Sequence, residues 1–439
     1  MRSGGDALWL YNAQDCARTF EIWEAQQKAI DALHLRGPHD FEMDLFYPVL
    51  RTMTKGCRVD ERKRVGMLDR LQAAEVEGQA WLEKVIGHPI NIQSPKQIAE
   101  FFYSEMGQSP YHNRKTGGVT TDDEALEKIG LREPLLLPIV QKIQELRSLG
   151  VFTGTFLKSL TDQDGRLRCA YNIGGTITFR FSSSENVWGN GTNLQNWSKG
   201  GGLLPNLREI IIPDEGFTFF DIDLAAADLR IVAWESNCQK MKEWFRDGKD
   251  PYTEITRIYY KDGGITKADP RRQLFKSFCH GTNYGGRAKN LAQRLGLHPS
   301  EAERAQAWYF AQFPEIRAWQ LGVIATVNKT SRVHNAFGFS CTFFDRVDEN
   351  VYRDAFAWIG QSTTAIVINS GYLRLYRDAL DIDVLLQVHD SLAGQFPTSD
   401  KTAVGRIKEC CEIEIPFPGD PLVIPVGIKT SEKSWGDCE

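Results

Sequence analysis

Long apolar runs are missing from this 439-residue chain: nowhere do about 18 apolar residues follow one another, so no segment reads as a membrane-spanning helix. The opening residues, MRSGGDALWLYNAQD, meet an acid at once and carry no apolar signal core. Nine cysteines are scattered without a single CxxC pair, which speaks against a zinc site and a disulfide framework and for a reducing compartment. The expected place is the cytoplasm of a bacterial or virus-infected cell, with no membrane partner. Internal repeats and low-complexity tracts are absent too, which removes solenoids and disordered tails. A surplus of positive charge is lacking: the net charge is −5, unlike a nucleic-acid coat protein. It leaves open an enzyme that acts on nucleic acid, for which local charge decides. What is present is an ordinary globular composition, 42% hydrophobic and 25% charged, at a length that predicts two or three subdomains.

The local charge is uneven. Between Thr266 and Arg294 lie seven Lys or Arg against one acid, Asp269, a local net of +6. A solvated helix face is the plain reading of such a run. Residues 15–149 read as mainly helical, with capping boxes at Ser94-Pro95-Lys96-Gln97 and Thr121-Asp122-Asp123-Glu124. From Gly165 to Asp223 the pattern turns to strands and loops, with RLRCAYNI, TITFRF and FTFFDIDL as strand candidates. Helices follow from Ala225 to about Arg332, then strand character in HNAFGFSCTFFDR, a long helix over 351–380, and a hairpin in DVLLQVHDSLAGQF.

Three clusters carry chemistry. In FFDIDLAAADLR a strand ends on Asp221 and Asp223 and opens toward a helix; an exposed strand end would explain the pair equally well. In DPRRQLFKSFCHGTNYGG the residues Arg272, Lys276, His280 and Tyr284 recur every four positions and share one slowly drifting helix face. Two cations, an imidazole and a phenol in a row suit a ligand with phosphates at one end and a ring system at the other. In LLQVHDSLAGQFP, Asp390 sits at the bend of an apolar hairpin, where a carboxylate is costly unless paired or bound to a metal. Asp223 and Asp390, brought together, would need a compensating divalent ion, and oxygen ligands suit Mg²⁺. A pair of such ions about 3.5–4 Å apart clamps an in-line phosphoryl displacement.

In this order DIDLAAADLR, RRQLFKSFCHGTNYGG and QVHDSL resemble motifs A, B and C of the family A DNA polymerases, the DNA polymerase I family. FYPVLRTMTKGCRVD and NIQSPKQIAEFFYSEMG look like the start of that family's thumb. TFRFSSS and TNLQN resemble its template–primer contact segment, DAFAWIGQSTTA its long palm helix, and SEKSWGDCE its end, so the likeness runs from about Asp40 to Glu439. The resemblance implies an α+β right-hand fold with an antiparallel-sheet palm, helical fingers and a helical thumb. Its parts would be the last motif and closing helix of a 3′–5′ exonuclease domain (1–40), thumb (41–160), palm (161–233 and 338–439) and fingers (234–337).

It further implies a template-directed DNA polymerase that extends a primer 3′-hydroxyl with deoxynucleoside triphosphates, releases pyrophosphate and lacks its own proofreading. Two Mg²⁺ ions, with Mn²⁺ as a substitute, would be held by Asp223, Asp390 and the Leu224 carbonyl. Arg272 and Lys276 would grip the triphosphate, with Lys276 protonating the leaving group. His280, Tyr284, Asp228 and Tyr252 would surround the nucleotide. Arg180, Asn193, Gln195, Arg353, Gln361 and His389 would line the primer–template minor groove, whose acceptors are common to all base pairs.

The departures from the family pattern are specific. Asp228 stands where Glu is usual, His280 where Phe or Tyr is, and Ser391 replaces the Glu after His-Asp, as in single-subunit RNA polymerases. Tyr252 and Ala357 stand where His and Asn are common, and about six extra residues surround ENVWGNG. Tyr11-x-x-x-Asp15 resembles the final exonuclease motif; either the chain is shortened or a separate exonuclease polypeptide docks on residues 1–40, and a processivity factor is a further partner of the same kind. YNAQD has a phage-like look, which suggests a viral replicase, while a small bacterial repair enzyme reads alike. Two other functions stay open on the residues: a ribonucleotide-using relative, suggested by Asp228 and Ser391, and a non-catalytic primer–template binder.

Overall fold

A computed structural model describes residues 4–113, 116–187 and 189–438, with side chains from residue 7 onward. The chain is α+β, as expected. Its centre is a four-stranded antiparallel sheet of β1 (Phe217–Leu224), β2 (Asp383–Val388), β3 (Ser391–Pro397) and β4 (Val426–Ser431), in the order β2-β3-β1-β4. FTFFDIDL pairs with a strand on each edge, and Phe219, Phe220 and Ile222 are all fully buried rather than alternating in and out, so both faces of the sheet are covered at this strand. Opposite Asp223 stand Ser391 on β3 and Gly427 on β4. A one-residue slip would send both acids of β1 into the core, so the buried phenylalanines hold the register.

Helices surround the sheet. The ones that matter for the site are α1 (Ala227–Glu235), α2 (Pro251–Tyr260), α3 (Pro270–Asn283), α4 (Pro314–Thr330) and α5 (Glu349–Asp378). The thirty-residue α5 is buried almost all round between Ala355 and Leu375, so it is a central helix rather than a surface one. N-terminal to the sheet lies a mainly helical segment that includes Glu61–Ile86 and Leu137–Val151. Before that runs the helix Gly4–Ala32, whose Leu8, Trp9, Tyr11, Phe20 and Trp23 are exposed. Among the described residues no helix is long and apolar enough to cross a membrane.

Two local expectations are corrected. The cap of the helix Asp123–Arg132 is Asp122, which accepts from Ala125 N at 2.9 Å, one residue beyond the expected Thr121. TITFRF is a chain of turns, and the strand is Ser182–Ser184. The reason is tertiary. Its carbonyls are taken by α5, with Trp358 Nε1 donating to Ile177 O at 2.7 Å and Asn369 Nδ2 to Phe179 O at 3.0 Å. Phe179 adopts φ 62° and packs its ring on Phe339 and Trp358. Ser94, by contrast, caps its helix as expected, with Pro95 in the first turn.

Candidate active site

The hairpin β2–β3 closes through only two residues, His389 and Asp390, because Val388 pairs directly with Ser391. His389 takes the left-handed φ of 54°, and the turn is held by Gln387 Nε2 donating to His389 O at 2.8 Å. Asp390 therefore lies one residue from the register partner of Asp223, and both acids line one cleft of about 460 Å³. The Asp223 side chain makes no hydrogen bond or ion pair among the described residues. Desolvation, and then the negative charges of Asp221 and Asp390, push its carboxyl above the usual range, while Lys276 and Lys199 pull it down. Asp390 is compensated differently: Arg180 Nη2 donates to its Oδ1 at 2.7 Å.

Two converging carboxylates, one without any bonded cation, form a hard-oxygen donor set short of positive charge, which fits a divalent ion such as Mg²⁺. No group of three or more His, Cys, Asp or Glu side chains gathers as a metal cage among the described residues. An ion here would complete its shell with backbone, substrate and water oxygens, as Mg²⁺ commonly does, and Leu224 lines the same cleft.

The opposite wall is α3, started by Asp269, which accepts from Arg271 N at 2.9 Å, and by Pro270. Arg272, Lys276 and His280 all reach the cleft. The helix ends at Asn283, so Tyr284 is its cap rather than its fourth turn, and Gly285 at φ 75° makes the exit. Tyr284 OH donates to Asp228 Oδ1 at 2.7 Å, and the His280 ring meets Tyr284 edge-on at 4.8 Å, with Nδ1 3.7 Å from Asp228 Oδ2. Burial first, and then the Asp228 charge, hold the Tyr284 phenol well above its ordinary pKa. Arg272 forks onto Asp250 through Nε and Nη2, both at 2.9 Å, and lies over the buried Tyr252 ring at 5.3 Å.

The basic stretch is less naked than its sequence. Arg271 is bound by Asp262 and Asp269, Arg272 by Asp250, and Arg287 by Glu349. Lys267, Lys276, Lys289 and Arg294 have no carboxylate partner among the described residues, and Lys267 and Lys276 face the cleft.

Other expected residues stand apart from this cleft. Asn193 caps a short 3-10 turn, and Gln195 is buried beneath the hairpin, donating to Gln387 Oε1 at 3.0 Å. Arg353 bonds Asn350 and lines a separate hollow with Gly285, Gly286 and Phe356. Gln361 is half-buried on α5. His389 lines a third hollow of about 630 Å³, with Lys199, Arg208, Lys429 and Asp221, and that hollow shares Asp223 and Asp390 with the first cleft. The carboxylate pair is thus the common wall of two cation-bearing clefts.

Sequence reasoning missed several of these residues. Asp250 was legible as a helix cap in DPYT, where its carboxylate accepts from Thr253 N, but not as the anchor of Arg272. Gly360 is flat against the Tyr284 hydroxyl, where a Cβ would lie 2.4 Å from that oxygen. Nothing in one sequence marks that approach.

The family model described as DNA polymerase family A matches residues 66–436. The thermostable DNA polymerase I of Thermus filiformis is 30% identical over 404 residues, 85% of this chain and 45% of that protein. That of Thermus aquaticus is 30% identical over the same shares, and DNA polymerase I of Helicobacter pylori (strain J99) is 28% identical over 73% of this chain and 35% of that protein. The chain spans about half the length, or less, of these relatives. The solved POL domain of Pol1 from M. smegmatis, in complex with DNA primer-template and dNTP, shares the fold, with a TM-score of 0.76 at 24% identity over 89% of this chain and 70% of that chain.

Proposed function

Because this chain belongs to DNA polymerase family A, we propose that it is a template-directed DNA polymerase that adds deoxynucleotides to a primer 3′-hydroxyl. The observation that carries the reading is the carboxylate pair Asp223 and Asp390, standing as the shared wall between a cleft lined by Arg272, Lys276 and His280 and a hollow lined by Lys199, Arg208 and Lys429. A nucleoside triphosphate on one side and a primer terminus on the other would meet at that wall. The antiparallel sheet would be the palm, residues 234–337 the fingers and residues 41–160 the thumb.

Magnesium ions held by Asp223, Asp390 and the Leu224 carbonyl, with manganese as a substitute, would ease deprotonation of the 3′-hydroxyl and neutralise charge on the phosphates. The chain's own groups do the rest. Asp250 keeps the Arg272 fork ordered and leaves the Nη1 amino group for a phosphate oxygen. Lys276, without a carboxylate partner among the described residues, both binds the triphosphate and donates a proton to departing pyrophosphate. Tyr284 and Asp228, tied together, wall the space beside the sugar. Little covalent chemistry is asked of the protein, so positioning and charge carry the rate. Extension of a 5′-labelled primer on a template, with Mg²⁺ and either deoxy- or ribonucleotides, tests the reading. No product from either set removes it, and equal extension with ribonucleotides replaces it with the RNA-synthesising alternative. Duplex binding without extension, indifferent to Asp390→Asn, replaces it with a passive clamp.

A further inference from the structure

We propose that Arg180 is a placeholder cation at Asp390, displaced by the metal and handed to the primer–template, so that metal and duplex bind cooperatively. The inference rests on the polymerase reading above and assigns Arg180 a second position within it. Four observations support it.

The first is asymmetry. Of the two acids in the shared wall, only Asp390 is neutralised, by Arg180 Nη2 at 2.7 Å, while Asp223 has no bonded partner among the described residues. A charge-assisted bond between two half-buried groups is strong enough to compete with an incoming ion. The second is that Arg180 is poorly satisfied where it stands: its Nε is buried with no hydrogen-bond partner. A buried donor left unpaired carries a penalty that a better-placed acceptor would remove.

The third is that only the end of the side chain is free to move. The backbone at this point is pinned, because Arg180 O accepts from Thr176 Oγ1 at 2.8 Å and Phe179 O accepts from Asn369 Nδ2 at 3.0 Å. Swinging the guanidinium therefore needs rotation of its own torsions and no movement of the fold. The fourth is electrostatic. A divalent ion and a guanidinium on one carboxylate repel each other strongly in a half-buried site, so binding of the first expels the second from Oδ1. The released fork has five N–H donors, and a duplex seated beside the acids offers minor-groove acceptors that are the same for every base pair.

Each ligand thus removes an obstacle to the other, and linkage makes the effect mutual: the factor by which duplex raises metal affinity equals the factor by which metal raises duplex affinity. Mn²⁺ alone is the probe, followed by loss of its free-ion paramagnetic resonance signal, with and without a saturating primer–template ending in a dideoxynucleotide. For the wild type the duplex should tighten Mn²⁺ binding about tenfold, within the usual range of such couplings. Arg180→Ala should bind Mn²⁺ tightly without duplex, and added duplex should change that by less than about twofold. An Arg180→Ala protein that binds Mn²⁺ no better than wild type when alone, or keeps the full duplex effect, overturns the proposal.

Should circular dichroism show that variant unfolded, Arg180→Gln takes its place. The wild type also supplies an independent measurement. Mn²⁺ must tighten duplex binding, read by fluorescence anisotropy, by the same tenfold factor, and Asp390→Asn must abolish that effect. Duplex affinity unmoved by Mn²⁺ in the wild type overturns the idea without any variant. Failure of the polymerase reading has its own signature: Mn²⁺ binding indifferent to both Asp223→Asn and Asp390→Asn in every state, which removes both.

Discussion

Replacing Gly360 with alanine separates ordinary helix physics from the geometry of this site. Gly360 lies within α5, and in a helix interior alanine normally gains roughly 0.5–1 kcal/mol over glycine. Here the added Cβ would lie 2.4 Å from the Tyr284 hydroxyl and 3.3 Å from two of its ring carbons. Tyr284 cannot retreat freely, because its hydroxyl is bonded to Asp228 and its ring is buried against the His280 edge. Overpacking of this kind costs about 1–3 kcal/mol, and a weakened hydrogen bond to a charged group adds about 1.5 kcal/mol or less at a half-exposed carboxylate. Gly360→Ala should therefore destabilise the protein by about 1–3 kcal/mol, the reverse of the propensity argument.

The control is Tyr284→Phe, which removes the clashing oxygen and leaves only the 3.3 Å contacts. In the double variant, alanine should cost at least about 1 kcal/mol less than it does alone, a coupling of ordinary size for touching residues. Urea denaturation of the four proteins measures this cycle. Primer extension with deoxy- and ribonucleotides shows whether displacing Tyr284 also loosens the wall beside the sugar. A stabilised Gly360→Ala protein, or a coupling near zero, would refute the reasoning.

Asp223→Asn should abolish extension while slightly raising thermal stability, by less than about 1 kcal/mol because the site is solvent-screened, since it removes an unpaired charge beside Asp221 and Asp390; a lower midpoint of thermal unfolding would contradict this. Glu235 is a pH-sensitive group outside the site: burial pushes its carboxyl up to about 7 from 4.5, so the fold binds its proton more tightly than the unfolded chain does. The stability this contributes is present below about pH 4.5 and lost as pH rises through about 7, so Glu235→Gln should stabilise the protein above pH 7 by up to about 3 kcal/mol and leave it little changed at pH 4, read from unfolding midpoints at the two pH values. Asp250→Ala should cost about 2–4 kcal/mol by stranding the largely buried Arg272 and uncapping α2, with Asp250→Asn costing less because the amide oxygen still caps; equal losses in calorimetry would show that the ion pair, not the cap, matters.

Much of the fold was legible because local pattern and tertiary need agreed. FTFFDIDL, the two arms around His389-Asp390, and the thirty residues of α5 each carry a run long enough, and apolar enough, that only one element buries them. TITFRF failed because its alternation was real but its carbonyls were claimed by Trp358 and Asn369 from nearly two hundred residues away. The helix drawn through Tyr284 stopped one residue short because Gly285 turns the chain against Phe356.

Taken alone, the order of residues determined which side chains are available for chemistry: two acids, a row of cations on one helix face, and a phenol near its end. What only the tertiary structure decided is which charges remain free. Arg272 is taken by Asp250 and Asp390 by Arg180, whereas the side chains of Asp223 and Lys276 have no bonded partner among the described residues. Periodicity reports the face on which a residue lies, because that depends on neighbours a few positions away. Pairing depends on groups that the chain brings together from far apart, 210 positions in the case of Arg180 and Asp390, and no local pattern encodes that distance.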